Sequence, residues 1–259
     1  MRNLNEAQRY EQEFFDARLR EALKKDPRYG LSRISLEEPV HTVAADPVFF
    51  GFLGDVKGKI LLDICCGMGR SSIVAAMQGA ERVTGIDLSP LTLDIARRNA
   101  VFNGVAERVE FREMAVEELD FPDQSFDLII GLDALHHTDL QLSLFEISRV
   151  LRDRGKGVFV ETSALNPVMM LARRHLTGHF GIQRYQNQTE HPLTRGDFAL
   201  MARAFSRVQR VGTSLLFELR RLPLLSSWEG RLHHWDEVLF SAVPWLRNLC
   251  YHQVIEVIK

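Results

Sequence analysis

The chain has 259 residues, 46% hydrophobic and 25% charged, which is enough apolar sequence for one sizeable core and excludes disorder as the default state. Its 32 lysines and arginines nearly balance 34 acidic residues, and the formal net charge of -2 excludes an overall basic field that would hold a nucleic acid. With an odd count of 3 cysteines, a polar N-terminus and no run of ~18 apolar residues, the sequence predicts a cytoplasmic protein with neither a signal peptide nor a membrane span.

The first predicted element is an amphipathic helix over residues 5–24. Its apolar side chains recur at the spacing of one helical face, which predicts a helix laid on the rest of the protein. These side chains are Tyr10, Phe14, Phe15, Leu19 and Leu23. We therefore interpret residues 1–58 as an N-terminal helical cover.

Short apolar runs alternate with helical stretches over residues 59–162. The best-defined helix follows Ser89, which can cap it, while Pro90 suits its first turn and Gly104 its end. Alternation of this kind predicts a parallel sheet flanked by helices. The runs that predict its first five strands are KILLDI, RVTGID, VEFRE, FDLIIGL and GKGVFVET.

Beyond residue 162, two long segments interrupt this alternation. We predict that residues 163–193 and 219–248 form a lid over an acceptor site, since long insertions usually have a function. Thr194 can cap another helix, and SRVQRVGTSLLFEL and CYHQVIEVIK predict the remaining strands. The sequence thus predicts a single domain, residues 1–259, built on a doubly wound, mostly parallel α/β sheet of seven strands with the last one antiparallel.

The loop after the first strand, LLDICCGMGRSS, carries the main functional signal. Asp63 ends the strand, and small residues before the next helix allow backbone N–H groups to approach a ligand. Asp87 ends the second strand 24 residues later, close to the ~20-residue offset at which a carboxylate reaches ribose hydroxyls. The pair predicts a nucleotide-like ligand, with a helix cap as the alternative role for Asp63.

On these motifs, residues 59–162 resemble the class I S-adenosylmethionine-dependent methyltransferases, particularly the small-molecule group called type 11. The resemblance implies a Rossmann-like methyltransferase fold, S-adenosylmethionine as cofactor and S-adenosylhomocysteine as product. The glycine-rich loop of the family matches this sequence at Asp63, Cys65, Gly67 and Gly69. Cys65 departs from the pattern, because it stands where the family usually has its first glycine.

The resemblance also implies further cofactor contacts, at the ribose, the adenine edge and the methionine end. Ala115 replaces an acid that the family often uses to bind the adenine amino group, which leaves Val116 and Glu117 to line that region. Adenine recognition is therefore expected to rest more on backbone contacts. The implied contacts are Asp87, Leu88, Val116, Glu117, Leu132 and Asp133.

A dinucleotide-binding oxidoreductase is the rival interpretation of the same loop. Its GxGxxG pattern, counted from Gly67, requires glycine or alanine at Ser72 for close packing of the helix against the strand. The serine at this position disfavours that class.

Candidate catalytic residues follow the fourth and fifth strands, at the edge of the sheet where ligands bind in such folds. A hydroxyl or an acidic carbon must lose a proton when it is methylated, and histidine is the best base near neutral pH. We predict His136, ahead of His137, as that base, and Glu161 as the next candidate. The alternatives are that the histidines only bond the backbone and that Glu161 only caps a turn.

The two insertions carry further polar and aromatic candidates. Tyr185 and His191 are predicted either to contact the acceptor or to be exposed, and His233 with His234 lacks further ligands at metal-binding spacing, so we expect no metal site. Apolar side chains there predict a pocket wall, a membrane-facing surface or core packing. They are Met169, Met170, Phe180, Trp228, Trp235 and Trp245, flanked by the pairs Arg173 with Arg174 and Arg220 with Arg221.

Together the motifs predict transfer of a methyl group from S-adenosylmethionine to oxygen, nitrogen or carbon of a small, fairly apolar metabolite. The expected partner is that small-molecule acceptor, with no nucleic acid and with peripheral membrane contact as a weaker expectation. Two alternatives remain: methylation of RNA or protein, and a non-catalytic S-adenosylmethionine-binding module that the departures at Cys65 and Ala115 leave open.

Overall fold

The computed structural model describes residues 4–176, 191–222 and 224–259. Seven strands within these residues form one sheet in the order β3-β2-β1-β4-β5-β7-β6. Of these seven strands, β7 alone runs against the direction of the other six, so the predicted mostly parallel sheet with an antiparallel last strand is confirmed. The strands are β1 (Ile60–Ile64), β2 (Arg82–Asp87), β3 (Val109–Glu113), β4 (Phe126–Leu132), β5 (Leu151–Thr162), β6 (Arg207–Ser214) and β7 (His252–Ile258).

Eight α-helices lie in the described part of the chain. No helix there is long and apolar enough to cross a bilayer. The helices are α1 (Glu6–Lys25), α2 (Asp46–Leu53), α3 (Arg70–Met77), α4 (Pro90–Phe102), α5 (Leu140–Val150), α6 (Pro167–Leu176), α7 (Arg195–Ala204) and α8 (Glu229–Ala242).

Helix α4 begins and ends as its sequence predicts. The Ser89 hydroxyl accepts a hydrogen bond from the Thr92 N–H at 3.0 Å, and Pro90 occupies the first turn. Gly104 has a φ of 72°, the left-handed conformation that lets the chain leave the helix. Thr194 likewise caps α7, so both predicted caps are confirmed.

The sheet is buried on both faces. Alternate residues along a strand point to opposite faces, so Leu61 and Leu62 of β1 belong to different clusters of buried side chains. One cluster packs the sheet against α2, α3 and α4, and the other packs it against α5 and α7. Coverage of both faces is the arrangement expected of a parallel sheet.

Two elements differ from the sequence prediction. The predicted strand SRVQRVGTSLLFEL is wrong at its end, because β6 stops at Ser214 and a short 3₁₀ helix, Leu216–Arg221, follows. The Asp236 carboxylate accepts the N–H groups of Leu215, Leu216 and Phe217, at 2.7 to 3.0 Å, and this ends strand pairing. Helix α2 was not predicted within residues 1–58, and it packs its apolar side chains into the core.

All the parallel strands end at one edge of the sheet, which we call the carboxyl edge. Since β7 is antiparallel, its first residue, His252, lies at this same edge and pairs with Thr162 at the end of β5. Ser214, at the end of β6, pairs with His252 from the other side. The fold therefore brings residues from the middle and the end of the chain to one place.

Candidate active site

A cavity of about 930 Å³ opens at the carboxyl edge, between the loops after the strands and helix α1. The loops after β1, β2, β3 and β4 form one wall, and α1 with the residues after it forms the other. Among the residues that line the cavity are Gln12, Phe15, Leu19, Tyr29, Cys65, Gly67, Met68, Asp87, Leu88, Ser89, Met114, Val116, Glu117, Asp133, His137 and Thr138.

Asp63 lies beneath the cavity wall. Its Oδ2 accepts hydrogen bonds from the Ser71 and Ser72 hydroxyls, each at 2.6 Å, and so ties β1 to the first turn of α3. Burial raises the pKa of Asp63 to about 6, against the lowering effect of the two serines. The geometry gives Asp63 a role in fixing the loop, while direct contact with a cofactor stays a prediction.

The loop after β1 has an unusual backbone. Gly69 has a φ of 81°, and a Cβ atom there would lie 2.6 Å from the Phe111 ring, so only glycine fits without movement. Cys65 has a φ of 50°, which is a left-handed conformation. Glycine, the residue that the resembling family usually has at this position, adopts that conformation more easily than cysteine. Burial raises the pKa of the Cys65 thiol well above its usual range, so the side chain is a neutral thiol at pH 7.

Asp87 connects the loops after β1 and β2. One carboxylate oxygen accepts the Gly67 N–H at 3.0 Å, and the other accepts the Ser89 N–H at 2.9 Å. Burial raises the pKa of Asp87, although these backbone donors oppose the rise. The carboxylate therefore fixes the glycine loop and also lines the cavity.

The predicted adenine-edge residues lie on the same wall. Leu88 and Val116, with Met114, give it an apolar surface. Glu117 lines the cavity and accepts hydrogen bonds from the Gln8 side chain at 3.1 Å and from the Asp139 N–H at 3.0 Å. Glu117 thus contributes to docking α1 as well as to the wall.

Helix α1 closes the cavity through polar contacts that the sequence analysis missed. The Gln12 amide donates to the Leu88 carbonyl at 2.6 Å, and the Ser89 hydroxyl donates to Asp16, which is buried. Glu11 is also buried and lies 3.4 Å from Nδ1 of His137. The sequence signal for these contacts was the amphipathic pattern of α1, and that pattern identified only the apolar face of the helix.

The predicted catalytic residues form a buried pair beside the cavity. Nδ1 of His136 lies 2.6 Å from Oε2 of Glu161, and the other oxygen of Glu161 accepts the N–H groups of Ala134 and Leu135 at 3.0 and 2.7 Å. His136 and Glu161 are 3% and 0% exposed, whereas His137 lines the cavity. Their catalytic roles stay predictions.

Asp133 follows β4 with a φ of 51° and also lines the cavity. Its Oδ2 lies 2.9 Å from Nε2 of His41, and the histidine holds the pKa of Asp133 well below its usual range although burial acts to raise it. The imidazole ring of His252 lies against that of His41, with 5.4 Å between the ring centres. The sequence analysis missed His41 and His252, since neither belongs to a local motif.

Of the other cofactor positions predicted from the sequence, Gly69 and Leu132 lie next to the cavity-lining residues and are not themselves in the lining. Gly69 shapes the loop, and Leu132 packs against the core cluster formed with α2, α3 and α4. As with Asp63, direct contact with a cofactor stays a prediction for both positions.

The described residues of the two insertions lie outside the cavity lining. Tyr185 and Phe180 fall outside the described residues, and the His191 N–H donates to the His136 carbonyl at 3.4 Å. His234 is exposed, and His233 packs edge-on against Phe217. Among described residues, none from 163–193 or 219–248 lines the cavity, and their role as a lid stays a prediction.

Residues 61–155 match the methyltransferase domain family. Over this segment, which is less than half of the chain, the protein is similar to a methyltransferase domain. The sheet order and the loops after β1 and β2 therefore belong to a known cofactor-binding architecture, as the resemblance implied.

Known proteins support this assignment. The ubiquinone biosynthesis O-methyltransferase of Bordetella parapertussis is 34% identical over 140 residues, which are 52% of this chain and 56% of that protein. The chain thus spans about half the length of the curated relatives it matches. The solved structure of geranyl diphosphate C-methyltransferase from Streptomyces coelicolor A3(2) superposes with a TM-score of 0.62 at 17% sequence identity. The superposition covers 100% of this chain and 99% of that protein's chain. The solved structure of the [4+2]-cyclase SpnF superposes with a TM-score of 0.60 at 17% sequence identity, and the superposition covers 98% of this chain and 96% of SpnF.

Proposed function

We propose that the protein transfers the methyl group of S-adenosylmethionine to oxygen, nitrogen or carbon of a small, fairly apolar metabolite. Oxygen is the first choice, because the curated relative from Bordetella parapertussis is an O-methyltransferase. The observation that carries the proposal is the Asp87 carboxylate, which lines the cavity while it fixes the loop after β1.

The residues of the cavity fit this cofactor. The two carboxylate oxygens of Asp87 suit the ribose hydroxyls, and the apolar surface of Leu88, Met114 and Val116 suits the adenine ring. The left-handed backbone at Gly67 has open space where a side chain would stand, so the cofactor can approach closely. A cavity of about 930 Å³ holds the cofactor and a small acceptor together.

When bound, S-adenosylmethionine supplies a methyl group already activated by its sulfonium. The protein then has to orient the acceptor, exclude water and accept a proton from a hydroxyl acceptor. We assign proton removal to His136, oriented by Glu161, with His137 as the histidine that lines the cavity. Helix α1 excludes water from the cavity wall.

We also propose a reducing, cytoplasmic location and a small-molecule partner in preference to a nucleic acid. The free thiols of Cys65, Cys66 and Cys250 and the net charge of -2 support these proposals. Peripheral membrane contact is a further proposal, supported by Trp228 and Trp245, which are 37% and 61% exposed. Absence of co-sedimentation with anionic vesicles at low salt would remove it.

The main alternative is a binding module or an enzyme of another reaction class. A solved neighbour of the same fold is named a cyclase, and fold alone does not decide the reaction. Methylation of RNA or protein is a second alternative, which a basic groove or an added recognition domain would favour.

Calorimetric titration with S-adenosylmethionine and S-adenosylhomocysteine, with NADH as control, tests the cofactor. We expect micromolar-range binding that Asp87→Asn weakens by about 1 to 3 kcal/mol, since charged hydrogen bonds are lost. Asp94→Asn is the matched control, because Asp94 is an exposed carboxylate on α4. Binding of neither adenosyl compound would overturn the proposed function.

A further inference from the structure

Three side chains with metal-binding groups meet at the carboxyl edge: His41, Asp133 and His252. They come from the segment before α2, the end of β4 and the start of β7, and their donor atoms all lie within 4.8 Å of one another. We propose that these residues form a binding site for one divalent transition-metal ion that holds the acceptor. The acceptor part of this proposal rests on the proposed function, whereas metal binding by itself does not.

The spacing suits metal coordination. For bond lengths of ~2.1 Å, neighbouring ligands lie ~3.0 Å apart in an octahedral site and ~3.4 Å apart in a tetrahedral one, and opposite octahedral ligands lie ~4.2 Å apart. Nε2 of His41 and Oδ2 of Asp133 are separated by 2.9 Å, as two neighbouring ligands would be. The largest separation among the three donor atoms is at most 4.8 Å and has to shorten when the ion binds.

Two of the three ligands are already held in position. Nδ1 of His252 lies 2.8 Å from the Glu218 carboxylate, which also binds Arg221 at 2.7 Å. This leaves Nε2 of His252 for a metal, and a carboxylate on the second ring nitrogen is the usual support of a metal-binding histidine. The Asp46 carboxylate accepts the N–H groups of His41 and Thr42, each at 3.0 Å, and so fixes the backbone that presents His41.

Buried polar atoms at the cluster lack partners within the described residues. Oδ1 of Asp133 and Nδ1 of His41 are shielded from solvent and have no hydrogen-bond partner. Such atoms are rare in native proteins and call for an explanation, which an ion or a water can supply. An ion bound by the Asp133 carboxylate would satisfy the oxygen that His41 leaves unpaired.

The donor set indicates the kind of ion. Two imidazole nitrogens and one carboxylate suit Zn²⁺, Fe²⁺ or Co²⁺ better than Mg²⁺, which prefers oxygen ligands. Three protein ligands leave at least one coordination position open, as in catalytic metal sites. Asp133 lines the cavity, so the open position is accessible to a hydroxyl of the acceptor.

A bound metal would lower the pKa of that hydroxyl. In the transfer, the hydroxyl proton passes to His136, the base proposed above, and the oxygen forms a bond to the methyl carbon. The carbon–sulfur bond breaks, and its electron pair stays on sulfur, leaving S-adenosylhomocysteine. No oxidation or reduction takes place.

The test is calorimetric titration of the EDTA-treated, dialysed full chain with Zn²⁺ and Co²⁺, with Mg²⁺ as the comparison ion. We expect one Zn²⁺ or Co²⁺ per chain, visible absorption of bound Co²⁺, and affinity at least about tenfold weaker in Asp133→Asn and in His252→Asn. His234→Asn is the matched control, because His234 is exposed on α8. Circular dichroism of every variant in EDTA shows that it is folded, because Asp133 is itself an implied cofactor contact, and S-adenosylhomocysteine is titrated separately into the wild type.

Absence of Zn²⁺ and Co²⁺ binding by the wild type would overturn the proposal. Equal affinity in the wild type and in folded Asp133→Asn and His252→Asn, or a loss of binding in His234→Asn, would overturn it as well. Metal binding without any binding of S-adenosylhomocysteine would support the metal site and contradict the proposed function, so the two failures are distinguishable.

Discussion

The carboxyl edge of the sheet has two halves that are built in different ways. The cofactor half, at the ends of β1, β2 and β3, is formed by neighbours in sequence and depends on backbone conformation at Cys65, Gly67 and Gly69. The half that we propose to hold the acceptor, called the acceptor half below, lies at the ends of β4 and β5 and the start of β7. It is formed by imidazole and carboxylate side chains that come together from residues 41 to 252.

The carboxylates of the two halves differ in the same way. Asp63 and Asp87 in the cofactor half are bonded to hydroxyl and N–H groups, and burial raises the pKa of both. Asp133 and Glu218 in the acceptor half lie against histidines, which hold their pKa values below the usual range despite burial. The cofactor half thus keeps acids that are costly to ionise, whereas the acceptor half keeps compensated charge.

The largest loss of stability is expected at Gly69 in the cofactor half, where there is no space for a side chain. Gly69→Ala should lower the free energy of unfolding by about 4 kcal/mol, through the left-handed backbone (~1 to 2 kcal/mol) and the clash with Phe111 (~1 to 3 kcal/mol). Urea denaturation measures this change. Gly104→Ala is the control, because its φ of 72° is similar but its added Cβ would have no neighbour within 4 Å, so only the first cost applies. Equal losses in the two variants would show that packing against Phe111 is unimportant.

Asp63, which accepts hydrogen bonds from hydroxyl groups and does not lie against a histidine as Asp133 does, should make stability depend on pH. The folded protein binds this proton more tightly, because the pKa is about 6 in place of 3.8, so the contribution is fully present below pH 3.8 and is lost as the pH rises to about 6. Two pKa units correspond to about 3 kcal/mol. Asp63→Asn, which cannot ionise, should gain that much over the wild type between about pH 4 and pH 7 in urea denaturation.

Asp94→Asn is again the control, since its exposed carboxylate should show no such gain. Stability curves of Asp63→Asn and the wild type that run parallel between about pH 4 and pH 7 would contradict the origin assigned to the pKa of Asp63.

The same contrast explains what the sequence could predict. The strands from β1 to β4, the Ser89 cap and the loop after β1 depend on periodicity, capping and spacing within a few residues, and the sequence contains those signals. The contacts of His41 and His252 depend on strand order and on the reversed direction of β7, and no local pattern encodes them. The early end of β6 has a similar cause, since the carboxylate that ends it comes from Asp236 in α8.

Helix α1 shows, within one element, what hydrophobic periodicity can and cannot predict. Its existence followed from the spacing of Tyr10, Phe14 and Phe15, but Tyr10 and Phe15 are 38% and 41% exposed. The side chains buried in place of these two rings include Glu11 and Asp16, which face polar groups of the cavity wall. Hydrophobic periodicity identifies a helix that docks, and it does not identify polar contacts made to a partner distant in sequence.

The smallest of the three predicted effects concerns how firmly α1 docks on the rest of the cofactor half. Gln12→Ala removes the hydrogen bond to the Leu88 carbonyl and should weaken docking by about 1 kcal/mol. Because proteolysis follows the open population, trypsin should cleave at Arg20 about fivefold faster. Glu13→Ala, an exposed change in the same helix, should leave the rate unchanged. If Gln12→Ala and Glu13→Ala are cleaved at the wild-type rate, the apolar contacts of Phe15 and Leu19 hold the helix in place, and the polar contacts only set its orientation.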